Sequence, residues 1–289
     1  MTTSLRDHHK AFLDELKKKK KASSTLLAYG KDVEQFIEWL EQQQVTDVSQ
    51  ITKEKVEEFS KELQHKRYTD KSVVRKINSL KAFFSFLVGG GVLTVNPVDR
   101  IERPKFENAA PRILTKLEYR ALRDVCRSDR RISAIVELLL QTGIRISELA
   151  ALKIDDFDAT KKTLSVKSPD SESLSRTIPL NNAAVRSLQD YLAIRPKARE
   201  KTIFVTKTLK PFLVRNIRSA IDRYFRLAGI KNAKVNDLRH TFIVEQLMAG
   251  TPLVYVSQLV GHKRITTTEK YLQFLGSNVD TASMKIEEL

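Results

Sequence analysis

The amino-acid sequence predicts a mainly α-helical protein, with an N-terminal helical bundle followed by a mostly helical second domain that contains a small antiparallel sheet. Three observations lead to this prediction. Apolar residues recur at three- and four-residue steps through the first hundred residues, as one face of a helix requires. The segment IERPKFENAAPR, residues 101–112, then interrupts the pattern with two prolines and no periodicity. Beyond it, helical spacing returns and is broken by two short stretches of strand-like alternation.

The N-terminal domain is predicted over residues 1–100 as a bundle of about four helices. Two apolar stripes mark its long helices: Leu26, Tyr29, Val33, Phe36, Ile37 and Leu40 in one, and Val73, Val74, Ile77, Leu80, Phe83, Phe84 and Leu87 in the other. A shorter helix over residues 49–63 has Thr52 as its predicted cap, and the glycines at 89–91 end the last helix.

The second domain is predicted over residues 113–289, with residues 101–112 as the linker. KTLSVK and RTIPL, joined by the loop SPDSESLS, indicate a β-hairpin at 162–167 and 176–180. The C-terminal tail has apolar residues at helical spacing, with a disordered end as the alternative. The remaining helices are predicted at 116–126, onward to Leu140, and at 182–194, 211–228, 238–249 and 252–260.

The charge balance points to a polyanionic partner. Lysine and arginine number 51 against 35 acidic residues, which gives a formal net charge of +16 and a pI of about 9.8. Residues 195–234 concentrate the excess, with 12 basic and 2 acidic side chains. A solvated basic surface is the simple explanation, but nucleic acid fits this concentration better. In the N-terminal domain, the expected contacts to a phosphate backbone are Lys20, Lys21, Lys71 and Arg75.

Several classes of protein are disfavoured. The lone cysteine, Cys126, cannot form an internal disulfide, which agrees with a reducing compartment. The sequence has no Cys/His cluster at metal spacing, no phosphate-binding loop, no apolar run of the roughly 20 residues that span a bilayer, and no secretion signal. We therefore expect a cytoplasmic protein that uses no metal and no other cofactor.

Two arginines stand in contexts that suit an anion. QTGIRISELAAL, residues 141–152, places a glycine turn before a helix, with Arg145 at the helix start, where free amide groups favour negative charge. VNDLRHTF, residues 235–242, supplies Arg239 beside His240. Each arginine could be an ordinary surface residue, but two together can grip a phosphate through paired hydrogen bonds.

A third motif, GHKRITTTEKYLQF, combines a histidine and a tyrosine. Gly261 is expected to end one helix and to leave His262 in a loop. Thr266 and Glu269 have the spacing of a capping box, which predicts a helix from about residue 266 with Tyr271 in its second turn, close to His262. A lone tyrosine at such a position usually packs in the core or on the surface. A functional interpretation therefore depends on the whole set of motif residues.

Together these motifs resemble the tyrosine recombinases, the phage-integrase or Xer-like family. TGIRISELAAL, the hairpin lysine Lys167, LRHTF and LVGHKRITTTEKYLQF stand in the order and spacing of that family, and the resemblance covers nearly the whole chain. It implies that the first domain is a SAM-like core-binding domain. The second would be the catalytic domain, ending in a tail that packs on a neighbouring subunit.

The resemblance also implies a role for each motif residue. Arg145 and Arg239 would hold the scissile DNA phosphate, and His262 would hydrogen-bond it. Tyr271 would attack the phosphorus, giving a 3′-phosphotyrosyl enzyme and a free 5′-hydroxyl, while Lys167 would protonate that leaving oxygen. Because the ester stores the bond energy, neither ATP nor a metal is required.

One position departs from the family pattern. The family usually has histidine three residues before the second arginine, and here that place holds Asn236. As a member of the catalytic set, Asn236 can donate a hydrogen bond to a phosphate oxygen but cannot accept and return a proton near neutral pH. The acceptor of the Tyr271 proton is therefore left open. Arg176 is a secondary candidate for a DNA backbone contact, and His240 is expected to support the site.

The expected partner is double-stranded DNA carrying an inverted-repeat recombination site. The protein would bind it in the nucleoid as a homo-tetramer, or as a hetero-tetramer with a related recombinase. Two alternatives remain: a type IB topoisomerase activity, and a catalytically idle DNA-binding regulator that keeps the fold. The sequence does not reveal the target site, because base contacts and DNA deformability set it.

Overall fold

The computed structural model describes residues 4–107, 109–168 and 174–275, apart from the side chains of residues 23 and 24. The predicted tail helix lies outside these ranges. Internal contacts divide the chain into two compact units, Met1–Ala109 and Ala110–Leu289. The division falls within the segment that the sequence marks as a linker. None of the helices in the described ranges has the length and apolar character needed to cross a bilayer.

The first unit is a helical bundle, as predicted. Aromatic side chains dominate its core: the Phe36 and Phe59 rings lie 5.0 Å apart, and Phe12 and Phe83 lie 5.5 Å apart, both with edge-on geometry. Thr52 occupies the position before the third helix, but its side chain forms no capping bond to the helix backbone. The helices are α1 (Leu5–Lys18), α2 (Ser23–Gln42), α3 (Lys53–His65) and α4 (Asp70–Gly89), with a 3-10 turn at Val48–Gln50.

The second unit is mostly helical with a small antiparallel sheet, again as predicted. The strands are β1 (Phe157–Asp158), β2 (Thr163–Val166) and β3 (Arg176–Pro179), in the order β1-β2-β3. The helices are α5 (Lys116–Cys126), α6 (Arg130–Thr142), α7 (Ile146–Ala151), α8 (Asn182–Ile194), α9 (Val214–Leu227), α10 (Val235–Met248), α11 (Leu253–Val260) and α12 (Thr266–Glu269). The sheet confirms the predicted hairpin, since Leu164 pairs with Ile178. The two-residue strand β1 is too short to leave a periodic signal.

Helix α6 is the central element of this unit. It packs against α8, α10 and α5, and its buried side chains include Ile132, Ile135, Leu138 and Leu139. A second, smaller apolar cluster lies where α10 and α11 meet the residues after α12; its members are Phe242, Ile243, Val244, Leu247, Val256, Val260 and Tyr271. Arg145 follows α6, Arg239 lies on α10 and His262 follows α11, so this packing positions the candidate site.

Some predicted boundaries were wrong in this region. Helix α10 begins at Val235 rather than at 238, because the Asp237 carboxylate accepts a hydrogen bond from the Lys234 backbone amide and starts the helix earlier. Helix α12 does begin at Thr266, but no capping box forms there and the helix ends at Glu269. A 3-10 turn at Leu272–Phe274 follows, so Tyr271 lies between the two elements rather than in a second helical turn.

Candidate active site

Two glycine turns form the framework of the site. Gly143 ends α6 with a φ of +59° and Gly261 ends α11 with a φ of +68°, a left-handed conformation that favours glycine. A Cβ atom at Gly143 would lie 2.3 Å from the Phe242 ring, and one at Gly261 would lie 2.7 Å from the Arg176 guanidinium. Both positions therefore require glycine for conformation and for space, and their carbonyl groups are held in fixed directions.

These two carbonyls orient the two predicted phosphate-binding arginines. Arg145 immediately precedes α7, and its Nη2 donates to the Gly261 carbonyl at 2.7 Å. Arg239 lies on α10, is 8% exposed, and its Nη1 donates to the Gly143 carbonyl at 2.5 Å. Residues 94 positions apart in sequence are thus brought to one site by the packing of α10 against α6.

The arrangement concentrates positive charge. Burial, reinforced by the neighbouring positive charge of Arg145, lowers the pKa of Arg239 to about 9. The guanidinium is still charged at neutral pH, but its charged state is held in an unfavourable environment. A phosphate that entered beside the two arginines would relieve this repulsion and supply oxygen acceptors for their remaining N–H groups.

Glu148, which the sequence analysis did not identify, holds Arg145 in place. Its carboxylate is 1% exposed and accepts from the Arg145 backbone amide at 2.8 Å and from Nη1 of Arg145 at 3.1 Å. Burial alone raises the pKa of Glu148, but hydrogen bonds from Arg176 and Arg145 outweigh it and lower that pKa. The signal that could have found it is the capping-box spacing, because Glu148 stands three residues after the cap position of α7.

The interpretation of Arg176 as a DNA backbone contact is revised. Its side chain is 11% exposed, and both terminal nitrogens donate to the Glu148 carboxylate at 3.0 Å. Its Nε donates to the Leu259 carbonyl, and Nη1 also approaches the Leu174 carbonyl. Because the N–H groups are directed to protein acceptors, Arg176 orients Glu148 instead of offering its fork to a ligand.

Lys167 lies apart from this cluster. It follows β2, its side chain is 72% exposed, and its Nζ is 3.5 Å from Oδ1 of Asp156. The neighbouring loop includes residues 169–173, which the structure does not describe. The role of Lys167 as general acid therefore stays a prediction.

His262 borders the arginines and the tyrosine. Its Nδ1 lies 2.8 Å from the Thr268 hydroxyl, and its ring stacks on that of Tyr271 with centroids 6.4 Å apart. Burial and the charges of Arg239 and Arg145 lower its pKa to about 3, so the imidazole is neutral at physiological pH. When Thr268 donates to Nδ1, Nε2 carries the hydrogen and can donate it to a phosphate oxygen.

Tyr271 is hydrogen-bonded to His240. The phenolic oxygen lies 2.7 Å from Nδ1 of His240, and the tyrosine is 5% exposed. Burial raises the pKa of Tyr271, and the positive charge of Arg239 partly offsets this increase. The phenol is therefore protonated at neutral pH, and its hydroxyl lies within electrostatic range of a phosphate-binding arginine. The sequence had placed His240 only in a supporting position.

The other predicted contacts are dispersed. Asn236 lies in the first turn of α10 with an exposed side chain. Lys20 and Lys21 are exposed in the turn between α1 and α2, and Lys71 is exposed in the first turn of α4. Arg75 is half exposed on α4, and its guanidinium is bonded to the buried carboxylate of Asp32; its contact with DNA stays a prediction.

Comparison with known proteins gives consistent matches along both units. The profile of the phage integrase family matches residues 112–275, and that of the phage integrase N-terminal SAM-like domain matches residues 10–91. The tyrosine recombinase XerC of Roseiflexus castenholzii is 31% identical over 274 residues, which cover 90% of this chain and 87% of the relative. The XerC of Staphylococcus saprophyticus is 32% identical over 270 residues, which cover 90% of each chain.

Among solved structures, the fold is similar to that in a crystal structure of a lambda integrase tetramer bound to a Holliday junction. The TM-score is 0.77 at 19% sequence identity, and the match covers 99% of this chain and 81% of that chain. At this identity the likeness concerns the fold.

Proposed function

Because this chain belongs to the phage integrase family and is a tyrosine-type site-specific recombinase, we propose that Tyr271 is the residue through which it cuts and rejoins DNA. The observation that carries the proposal is the position of the Tyr271 hydroxyl, which is 2.7 Å from His240 and shares the electrostatic environment of Arg239. A nucleophile and a cationic anion site are thereby adjacent.

The phosphate clamp consists of Arg145, Arg239 and His262. Arg239 uses one N–H group on the Gly143 carbonyl, and Arg145 donates to the Gly261 carbonyl and to Glu148. The N–H groups that remain on both guanidinium groups can donate to the nonbridging oxygens of a scissile phosphate. Since negative charge builds on these oxygens as a fifth ligand joins phosphorus, fixed cations stabilise the transition state more than the ground state. The neutral His262 adds a directed hydrogen bond without adding charge.

The chemical step exchanges one phosphodiester for another. The phenolic oxygen of Tyr271 forms a bond to phosphorus, and the bond from phosphorus to the 5′ oxygen breaks. The departing oxygen takes a proton from Lys167, which would approach the phosphate when DNA is bound. The product is a 3′-phosphotyrosyl enzyme with a free 5′-hydroxyl, and attack by a 5′-hydroxyl reverses the step.

The proposed substrate is double-stranded DNA with an inverted-repeat site, bound in the nucleoid by a homo-tetramer or by a hetero-tetramer with a related recombinase. The similarity in fold to a lambda integrase that was solved as a tetramer on a Holliday junction supports this assembly. The formal net charge of +16 supports a polyanionic partner, and Lys20, Lys21, Lys71 and Arg75 are the proposed backbone contacts in the first unit.

A nicked substrate tests the proposal. Cleavage close to the nick releases a short fragment that diffuses away, so the covalent protein–DNA complex accumulates. We expect a complex with the unmodified chain and with Tyr255→Phe, which changes an exposed tyrosine of α11, and none with Tyr271→Phe. A complex that persists in Tyr271→Phe would refute the assignment of the nucleophile. Binding without any covalent complex would instead support a DNA-binding regulator.

A further inference from the structure

We propose that His240 accepts the phenolic proton of Tyr271 during DNA cleavage and returns it during rejoining. This inference rests on the proposed function and assigns a catalytic group that the motif pattern leaves unfilled. His240 is a catalytic residue in this proposal because its Nδ1 touches the reacting oxygen itself, at 2.7 Å.

The geometry singles out His240 among the neutral groups near the nucleophile. The Nδ1 atom of His262 is already bonded to Thr268, and its ring stacks on the tyrosine face. The ring of His240 is inclined by 35° to that of Tyr271, with centroids 5.7 Å apart, and its nitrogen meets the hydroxyl. A proton can therefore pass along an existing hydrogen bond, without a water molecule between the two side chains.

The position of Asn236 explains why this role falls to His240. Asn236 precedes His240 by four residues on α10, so the two side chains stand one helical turn apart on the same face. An amide can accept a hydrogen bond but cannot hold a proton near neutral pH. The histidine one turn further along α10 is the group on that face that can do both.

The protonation states are those that the step requires. Burial lowers the pKa of His240; Asp237 on the same helix opposes this shift and Arg239 reinforces it. The other titratable groups facing it are Tyr271 and the neutral His262. His240 is thus an uncharged imidazole at neutral pH, and with the hydrogen on Nε2 its Nδ1 is free to accept the proton.

The bonds and protons balance. In cleavage, Tyr271 gains a bond to phosphorus and loses its proton to Nδ1 of His240, while the departing 5′ oxygen takes a proton from the general acid. In rejoining, the 5′-hydroxyl gives its proton back to the general acid as it attacks phosphorus. The phosphotyrosyl bond then breaks, and the imidazolium returns its proton to the phenolate oxygen.

The same hydrogen bond could instead hold the tyrosine in a resting position, and the two roles predict opposite effects of one substitution. In His240→Asn, the side-chain oxygen can occupy the place of Nδ1 and keep the hydrogen bond, but it cannot take the proton. A proton acceptor predicts slower cleavage in this variant, and a resting latch predicts faster cleavage.

The experiment measures the single-turnover rate of covalent complex formation on a nicked duplex at saturating protein. Variants are His240→Asn, His240→Gln as a second amide should the first fold poorly, and His65→Asn as a matched control at an exposed site on α3. We expect a loss of about 10²-fold or more in the His240 variants and no change in the control.

Two further readouts separate a proton acceptor from a merely structural residue. Hydroxide can remove the phenol proton when the imidazole is absent, so the defect should shrink by about tenfold for each pH unit above neutrality. With a substrate that carries sulfur in place of the 5′ oxygen, the leaving group needs no proton, and the defect of His240→Asn should persist.

The outcomes are distinguishable. An unchanged or faster rate in His240→Asn, a defect that is constant with pH, or full recovery with the sulfur substrate would each overturn the role of His240. Each of these results leaves the proposed function intact so long as the covalent complex still depends on Tyr271. The absence of a complex with the unmodified chain would overturn the proposed function instead.

Discussion

Each unit of the molecule contains an almost fully buried carboxylate bonded to basic side chains, Asp32 in the first and Glu148 in the second, and the two sites differ in how completely the buried charges are matched. In the first unit, Asp32 of α2 accepts from Lys76 at 3.0 Å, from Ser79 at 2.8 Å and from the half-exposed Arg75, all on α4. The carboxylate neutralises the buried Lys76 and joins two long helices. This site stabilises the fold.

Among the described residues of the second unit, a buried cation is left without a carboxylate partner. Glu148 binds both Arg145 and Arg176, and Arg239 is buried close by. Within the described ranges Arg239 forms no ion pair, and its hydrogen bond goes to the Gly143 carbonyl. The comparison teaches that matched buried charge builds structure, whereas unmatched buried charge prepares a site for an anion.

The largest effects are expected when one buried cation is removed from each unit. Arg239→Met should lower the cleavage rate by about 10³-fold, because one fixed donor to the developing charge is lost. The melting temperature should stay the same or rise, since a buried cation without a carboxylate partner disappears. Rates on the nicked duplex and thermal melting check both expectations.

The matched control is Lys76→Met, which leaves Asp32 without its buried partner. We expect a loss of roughly 3–5 kcal/mol in the free energy of unfolding with cleavage intact at saturating DNA. Equal losses of stability in the two variants would contradict the distinction between matched and unmatched charge.

Removing the two carboxylate charges gives the next largest effect. Glu148→Gln should lower the cleavage rate by about 10²-fold and also destabilise the second unit, because Arg145 and Arg176 lose the ionic partner that orients them. Asp32→Asn should destabilise the first unit without a comparable loss of cleavage. Denaturant unfolding and single-turnover rates measure these effects; full activity in Glu148→Gln would show that the carboxylate does not position Arg145.

A smaller effect is expected from adding a titratable group on α10 one helical turn from His240. Asn236→His should keep the cleavage rate or raise it by up to about tenfold, because a second proton acceptor would stand one turn from His240. Single-turnover rates of the two proteins provide the measurement. Complete loss of cleavage would show that the asparagine has a role of its own.

A further expectation concerns the pH dependence of stability. The folded-state pKa of His262, about 3, lies below the value of about 6.5 expected in the unfolded chain. The unfolded state therefore binds more protons between these values, and this contribution to stability is present above about pH 6.5 and is lost as the pH falls towards 3. The free energy of unfolding should fall less steeply with acid in His262→Asn; identical slopes would mean that the histidine is not held neutral.

Local signals in the sequence located most of the architecture. Helices α5 and α8 have the predicted limits because caps and apolar spacing define them. The hairpin was predicted from alternation, but β1 depends on pairing with β2 and has no periodicity of its own. The elements whose signals lie within a single segment could therefore be predicted from the sequence.

The site could be predicted only in part. Its residue types and order were visible, whereas the bond between His240 and Tyr271 joins positions 31 residues apart and depends on how α10 packs. The same is true of Arg176, which was interpreted as a contact to DNA because its long-range partner, Glu148, leaves no trace beside it in the sequence. Tertiary partners therefore decided which basic residues point outward and which are internal.

The most direct test of the account is to locate the covalent bond chemically. Protein trapped on a nicked duplex can be digested with nuclease and protease, and the modified peptide identified by tandem mass spectrometry. We expect a 3′-nucleotide attached to the phenolic oxygen of Tyr271. A nucleotide on any other side chain would contradict this expectation, because Arg145 and Arg239 would then hold the phosphate for a different nucleophile.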